Sequence, residues 1–78
     1  MKLVIAKVDA NVFDGDAQSV TVPGAQGEMT VLSNHEPLIT TLKAGTIVVR
    51  QLADVEPLQI PIQGGMLEVR KDGVTILL

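Results

Sequence analysis

One histidine, two serines and a scatter of carboxylates are the side chains from which chemistry would have to be built. His35 is followed by Glu36, and Glu28 lies a short way upstream. A metal site or a general base would need such groups to converge. Neighbouring residues of an extended segment point to opposite sides, so His35 and Glu36 do not converge. A zinc site also needs about three protein ligands, usually more than one of them His or Cys. The expected role of Asn34-His35 is to cap a loop, with the ring bonded to backbone. Ser19 and Ser33 have no nucleophile-elbow motif around them and no fixed partner for a triad. Asp9, Asp14 and Asp16 lack the spacing of a calcium-binding loop. Gly24-Ala25-Gln26-Gly27 is glycine-rich, but it lacks the Lys and Ser or Thr of a phosphate loop, and no helix follows it. Gly64-Gly65 reads as a place where the backbone needs φ freedom or a close approach between strands. No catalytic, metal-ligating or cofactor-binding set emerges from these residues.

The elements between them are short and extended. Leu3 to Val8 reads as a first strand, nearly apolar on both faces. Asn11 to Asp16 reads as a turn or a pair of very short strands. Ser19-Val20-Thr21-Val22 alternates and is stopped by Pro23-Gly24, and Glu28 to Leu32 forms another strand. Leu38 to Leu42 reads as extended, with Lys43-Ala44-Gly45 as a turn before the β-branched run Thr46 to Gln51. Leu58-Gln59-Ile60-Pro61-Ile62-Gln63 has period two, Met66 to Arg70 places Leu67 and Val69 inward, and Val74 to Leu77 closes the chain. Lys71-Asp72-Gly73 is expected to be a hairpin turn in which Asp-Gly supplies positive φ. Pro61 cannot donate to a ladder, so its strand is expected at an edge or a bulge. Gly and Pro interrupt too often for a helix. Many short strands with regular turns mean a sandwich or barrel.

Composition narrows the functions. The chain has 78 residues, which makes one domain over residues 1–78 the expectation. Its apolar residues are mostly Val, Ile and Leu, with Phe13 the sole aromatic. Branching at Cβ fits the pleated surface of a sheet. The shortage of rings argues against stacking on single-stranded nucleic acid. The net charge of −3 disfavours phosphate backbones and anionic lipid as partners. There is no cysteine, hence no disulfide or thiolate. No apolar run approaches the roughly 20 residues that span a bilayer. Leu3-Val4-Ile5-Ala6 is too short for a signal-peptide core, so a cytoplasmic or equivalent location is expected. The residues alone describe a small all-β binding or structural module.

The order of features is more specific than any of its parts. Residues 20–49 read VTVPGAQGEMTVLSNHEPLITTLKAGTIVV, preceded by Val12-Phe13-Asp14-Gly15 and followed by Gly64-Gly65-Met66-Leu67-Glu68-Val69 and Val74-Thr75-Ile76-Leu77. This resembles the N-terminal β-sandwich of the F-type ATP synthase epsilon subunit, called delta in mitochondria. That family shows Phe-x-Gly, Pro-Gly, a Gly-Glu pair, a Gly/Asn-His-x-Pro-Leu loop, Gly-Gly-x-x-Glu-Val and Val-Thr-x-Leu in this order. Glu36, where the family often has Ala, and Pro61, where an ordinary β-former is expected, depart from it. Family members typically continue into a helical hairpin, which residues 1–78 lack.

The resemblance implies an all-β, ten-stranded β-sandwich of two packed, mostly antiparallel sheets. It implies a non-catalytic central-stalk subunit of the proton-translocating ATP synthase that binds the gamma subunit and the c-ring and couples ion flow to ATP synthesis. Contact with the catalytic alpha/beta head would be indirect. Location would be peripheral, on the cytoplasmic face of a bacterial cell membrane and only through the complex. Gly27, Glu28 and Met29 match positions facing the c-ring, and Lys7, His35 and Thr40 match positions near gamma. Without the hairpin the chain is expected to couple without self-inhibition and to bind no nucleotide or other cofactor. An outward Val48 and the two-sided first strand fit a face hidden against a partner. Two other readings stand beside this one: an unrelated sandwich adaptor that takes a peptide at a sheet edge, and a small jelly-roll enzyme, which would need convergent titratable groups.

Overall fold

β-Branched and leucine side chains at alternate positions give strands with one face that must leave water, and seven such strands form. The computed structural model describes all residues, Met1–Leu78. The strands are β1 (Lys2–Lys7), β2 (Ala10–Asp16), β3 (Ser19–Gly24), β4 (Gly27–Leu32), β5 (Leu38–Arg50), β6 (Leu58–Arg70) and β7 (Gly73–Leu77). They join in one sheet of order β2-β1-β7-β6-β5-β3-β4. Every pairing is antiparallel except β1 with β7, where Leu3 lies opposite Val74 and Ile5 opposite Ile76. The chain therefore closes by laying its last strand beside its first.

Seven strands in one continuous sheet differ from the ten in two sheets that the family resemblance implied. The difference lies mainly in β5 and β6, each 13 residues long. Lys43-Ala44-Gly45 and Gly64-Gly65, read from sequence as breaks, are corners that the ladder passes through. Lys43 stays opposite Gly64 and Gly45 opposite Ile62. Thirteen extended residues span about 40 Å, yet the longest dimension of the molecule is 28 Å, so both strands must bend. Burial records the bend. Leu42 and then Ile47 and Val49 are buried in β5; Ile62 and then Leu67 and Val69 are buried in β6. A straight pleat would keep one parity throughout. β3 marks the same corner: Thr21 faces Val48, but Gly24 faces Leu42.

Through these corners the sheet folds over its own apolar face. Fourteen buried hydrophobic residues form one cluster that joins Leu3 and Ile5 of β1 to Val20 and Val22 of β3 and Val31 of β4, strands far apart in the sheet order. No polar or charged residue is buried. The interior is thus aliphatic and without hydrogen-bonding demands, a close-packed filling that resists deformation. The N-terminal ammonium donates to the Ala17 carbonyl at 2.8 Å, and the Ala17 N–H donates to the Met1 carbonyl at 2.9 Å, so β1 is fixed at its start.

Three local readings meet the structure differently. Asn11–Asp16 belongs to the single strand β2, with an irregularity in its pairing to β1 at Ile5/Ala6. The Lys71-Asp72 turn is where it was expected, but positive φ occurs only at Gly27 and Gly65. Gly73 is required for space instead, because a Cβ there would lie 3.0 Å from the Lys2 carbonyl oxygen. Pro61 matches its expectation. β6 pairs with β7 only from Met66 to Arg70, so the stretch that contains Pro61 has β5 on one side and no strand on the other.

Candidate interaction surfaces

Alternation along the strands decides which side chains the exterior offers. In β5, β6 and β7 the outward positions include Ile39, Met66 and Leu77, exposed by 67%, 44% and 54%. Met66 lies directly opposite Leu77 and, on its other side, opposite Thr41. Ile39 is the diagonal neighbour on β5, within reach of a long side chain. Ala6 faces Leu77 across the parallel pair, and Val4, half-buried, continues the surface on β1. The result is a contiguous apolar area on the outer face of β5-β6-β7-β1, at the end of these strands nearest the corner. The other end of the same face is charged. Arg70 donates to Glu68 at 3.2 Å, to Asp72 at 3.3 Å and to the Thr75 hydroxyl at 2.9 Å. These are exposed contacts of small energetic weight, and they hold the arginine along the sheet.

A second feature is the β3–β4 hairpin tip. Gly24 and Gly27 pair across the two-residue turn Ala25-Gln26, and the Ala25 N–H donates to the Thr41 carbonyl at 3.0 Å. Gly27 has φ 137°, which an L side chain rarely adopts. Glu28 is exposed opposite Pro23, and Met29, opposite Val22, packs partly against the core. Gly27, Glu28 and Met29 therefore sit together on one tip, held to β5 by a backbone bond.

Lys7, His35 and Thr40 are not brought together. Lys7 ends β1, exposed, beside a cleft between the Lys7–Asp9 turn and the Pro61–Gly64 stretch of β6, bounded by Leu78. His35 follows β4 and lines a shallow depression with Met1, Leu32 and the β6–β7 turn. Met1 and Lys7 mark opposite ends of β1, so His35 and Lys7 are separated by about 20 Å. The His35 Nδ1 lies 2.8 Å from the Glu36 carbonyl oxygen, the loop-capping role its sequence setting suggested. Thr40 lies opposite buried Leu67 in the inward phase of β5, half-buried. Val48 is half-buried between Ile47 and Val49. The carboxylates of β2 are strung along an edge strand, and no three His, Asp or Glu side chains gather at one point. Sequence reading missed the Ile39–Met66–Leu77 area. Its signal was present: each of the three is apolar in the phase opposite to its buried neighbours.

A closed aliphatic interior, an exterior with one apolar face and a fixed polar tip define a class: small all-β modules that act by presenting surface. The chain belongs to the family of the ATP synthase delta/epsilon chain β-sandwich domain, whose model matches residues 1–78. It is 39% identical over 77 residues to a Burkholderia orbicola protein named ATP synthase epsilon chain 2, covering 99% of this chain and 51% of that one. It is 40% identical over 77 residues to an ATP synthase epsilon chain of Thermosynechococcus vestitus, with 99% and 54% covered. The chain thus spans about half the length of the curated relatives it matches. Among solved structures it superposes on a chain of the Euglena gracilis mitochondrial ATP synthase, in a cryo-EM structure of OSCP, F1 and c-ring, with a TM-score of 0.86, 26% identity, and 96% and 48% of the two chains covered. A chain from the Tetrahymena thermophila mitochondrial ATP synthase central stalk and c-ring shares the fold, with a TM-score of 0.77 at 12% identity, covering 99% of this chain and 63% of that one.

Proposed function

We propose that this chain is a non-catalytic subunit of the ATP synthase central stalk, clamped to gamma and seated on the c-ring, where it transmits torque. The observation that carries the reading is the match of all 78 residues to the delta/epsilon sandwich family, joined to an outer apolar face that no element of the chain covers. Gamma docks on the Ile39–Met66–Leu77 face, with Lys7 at its margin beside Ala6. The β3–β4 tip meets the polar surface of the ring, where Glu28 pairs with a cation. His35 and Thr40 serve the loop and the inner face, and contribute to gamma binding only by holding β5 in place. A coupling element must not deform under load, and the all-aliphatic core supplies that stiffness.

The free edge of β6 favours a second reading, an adaptor that takes a peptide as an added strand. Pro61 in the middle of that edge counts against it, since proline is a common guard against strand addition.

Co-purification separates the readings. The chain is expected to retain gamma, and an Ile39→Asp/Leu77→Asp variant is expected to lose it by at least about tenfold in affinity, because two carboxylates would be desolvated in the interface. The variant's circular dichroism should match that of the parent, as both positions face water. Glu28→Arg should keep gamma and weaken attachment to the ring. Undiminished gamma binding by the double variant rejects the outer face as the docking surface.

A further inference from the structure

We infer that Met66 is an oxidation-sensitive site, and that oxygen transfer to its sulfur by a hydroperoxide switches off docking of the free subunit. The inference rests on the docking face described above. The chain has no Cys, Trp or Tyr, so the thioether of methionine is its most readily oxidised group. The three methionines differ sharply in setting. Met1 and Met29 are partly buried and pack against the core cluster. Met66 stands outside it, 44% exposed, in the centre of the apolar face between Thr41 and Leu77.

The chemistry is self-contained. A sulfur lone pair of Met66 attacks the terminal oxygen of the hydroperoxide and the O–O bond breaks. The sulfur is oxidised to the sulfoxide, and the peroxide is reduced to an alcohol, or to water when hydrogen peroxide is the oxidant. The proton of the transferred oxygen passes to the departing alkoxide or hydroxide. The new S–O dipole is a strong acceptor. Of the two residues directly opposite it, only Thr41 carries a donor; Leu77 has none on its side chain, nor has the diagonal Ile39. Burying the sulfoxide under a partner therefore leaves an acceptor poorly satisfied, which is enough to weaken docking about tenfold or more. Once docked, the sulfur is shielded, so the switch acts on the subunit before assembly. A sulfoxide is reducible by enzymes, so the state is reversible.

The test uses hydrogen peroxide on the chain and on its Met66→Leu variant, with each methionine followed by mass spectrometry and gamma binding measured by titration. Met66 should oxidise several-fold faster than Met29, and gamma should protect it. Oxidised wild-type chain should bind gamma at least about tenfold more weakly, while peroxide-treated Met66→Leu binds as before. Methionine sulfoxide reductase should restore the wild type. Met29 reacting as fast as Met66, or oxidised wild type binding with full affinity, overturns the switch and leaves the docking face standing. Failure of the untreated chain to bind gamma overturns the docking face, and the switch with it.

Discussion

At the scale of the residue, Gly65 shows how a backbone constraint serves a surface. It has φ 154°, and a Cβ there would lie 2.5 Å from the Leu77 carbonyl oxygen. The missing side chain lets β7 close on β6, which is what puts Leu77 beside Met66 on the docking face. Gly64 has no such burden: its added Cβ would meet only the Leu42 carbonyl oxygen, at 3.5 Å. Gly65→Ala is therefore expected to cost about 2 kcal/mol or more, and Gly64→Ala less than about 1 kcal/mol. Urea unfolding of the two variants checks this, and equal losses would remove the distinction. The sequence signals a close approach at Gly64-Gly65. Which glycine makes it depends on β7, whose position no local pattern reveals. The same holds for Gly73: the turn at Lys71-Asp72 is legible from Asp-Gly, but the reason for the glycine is the Lys2 carbonyl, 71 positions earlier in the chain.

Elements carry the next level of constraint. Strand identity follows from alternation of β-branched residues, which is why β1, β3, β4 and β7 are readable almost to their ends. The continuity of β5 and β6 is not. Lys43-Ala44-Gly45 and Gly64-Gly65 have turn composition, and a corner differs from a turn only in whether the ladder on both strands survives it. Here the two corners face each other across one register, Lys43 with Gly64, so each supports the other. The site divides in the same way. The β3–β4 tip with Gly27, Glu28 and Met29 is visible as a glycine-flanked turn. The outer face needs three strands in register before Ile39, Met66 and Leu77 become neighbours. Pro61 is the exception that local chemistry reads well: a residue without an N–H belongs on an unpaired edge. Its expected contribution is to solubility. Pro61→Val restores a donor and a β-former to a bare edge, so self-association should rise while the stability of the monomer changes by less than about 1 kcal/mol. Analytical ultracentrifugation across concentrations measures this, and a variant as monomeric as the parent would show that the edge needs no guard.

The whole molecule depends on one long-range closure. β7 lies between β1 and β6 in the sheet order and is the only strand that touches both. Without it the sheet separates into β2-β1 on one side and β6-β5-β3-β4 on the other. It also carries Val74 and Ile76, both in the core and nearly or wholly buried. A two-stranded hairpin is at best marginally stable in water, so β1 and β2 would not survive alone, and Leu3 and Ile5 would leave the core with them. Four core positions in a domain of this size represent several kcal/mol, comparable to the entire stability expected of a small fold. Removing Gly73–Leu78 is therefore expected to abolish cooperative unfolding rather than shift its midpoint. Far-UV circular dichroism against urea and the dispersion of amide resonances would report it. Adding residues 73–78 back as a peptide should recover structure if pairing with β1 and β6 is what was lost. A truncated chain that still melted in one sharp transition would mean that the two parts are independent. In that case the stiffness on which torque transfer relies could not come from a single closed sheet. The closure joins the two termini, so its formation must await the end of the chain, and folding is expected to be slow for so small a protein.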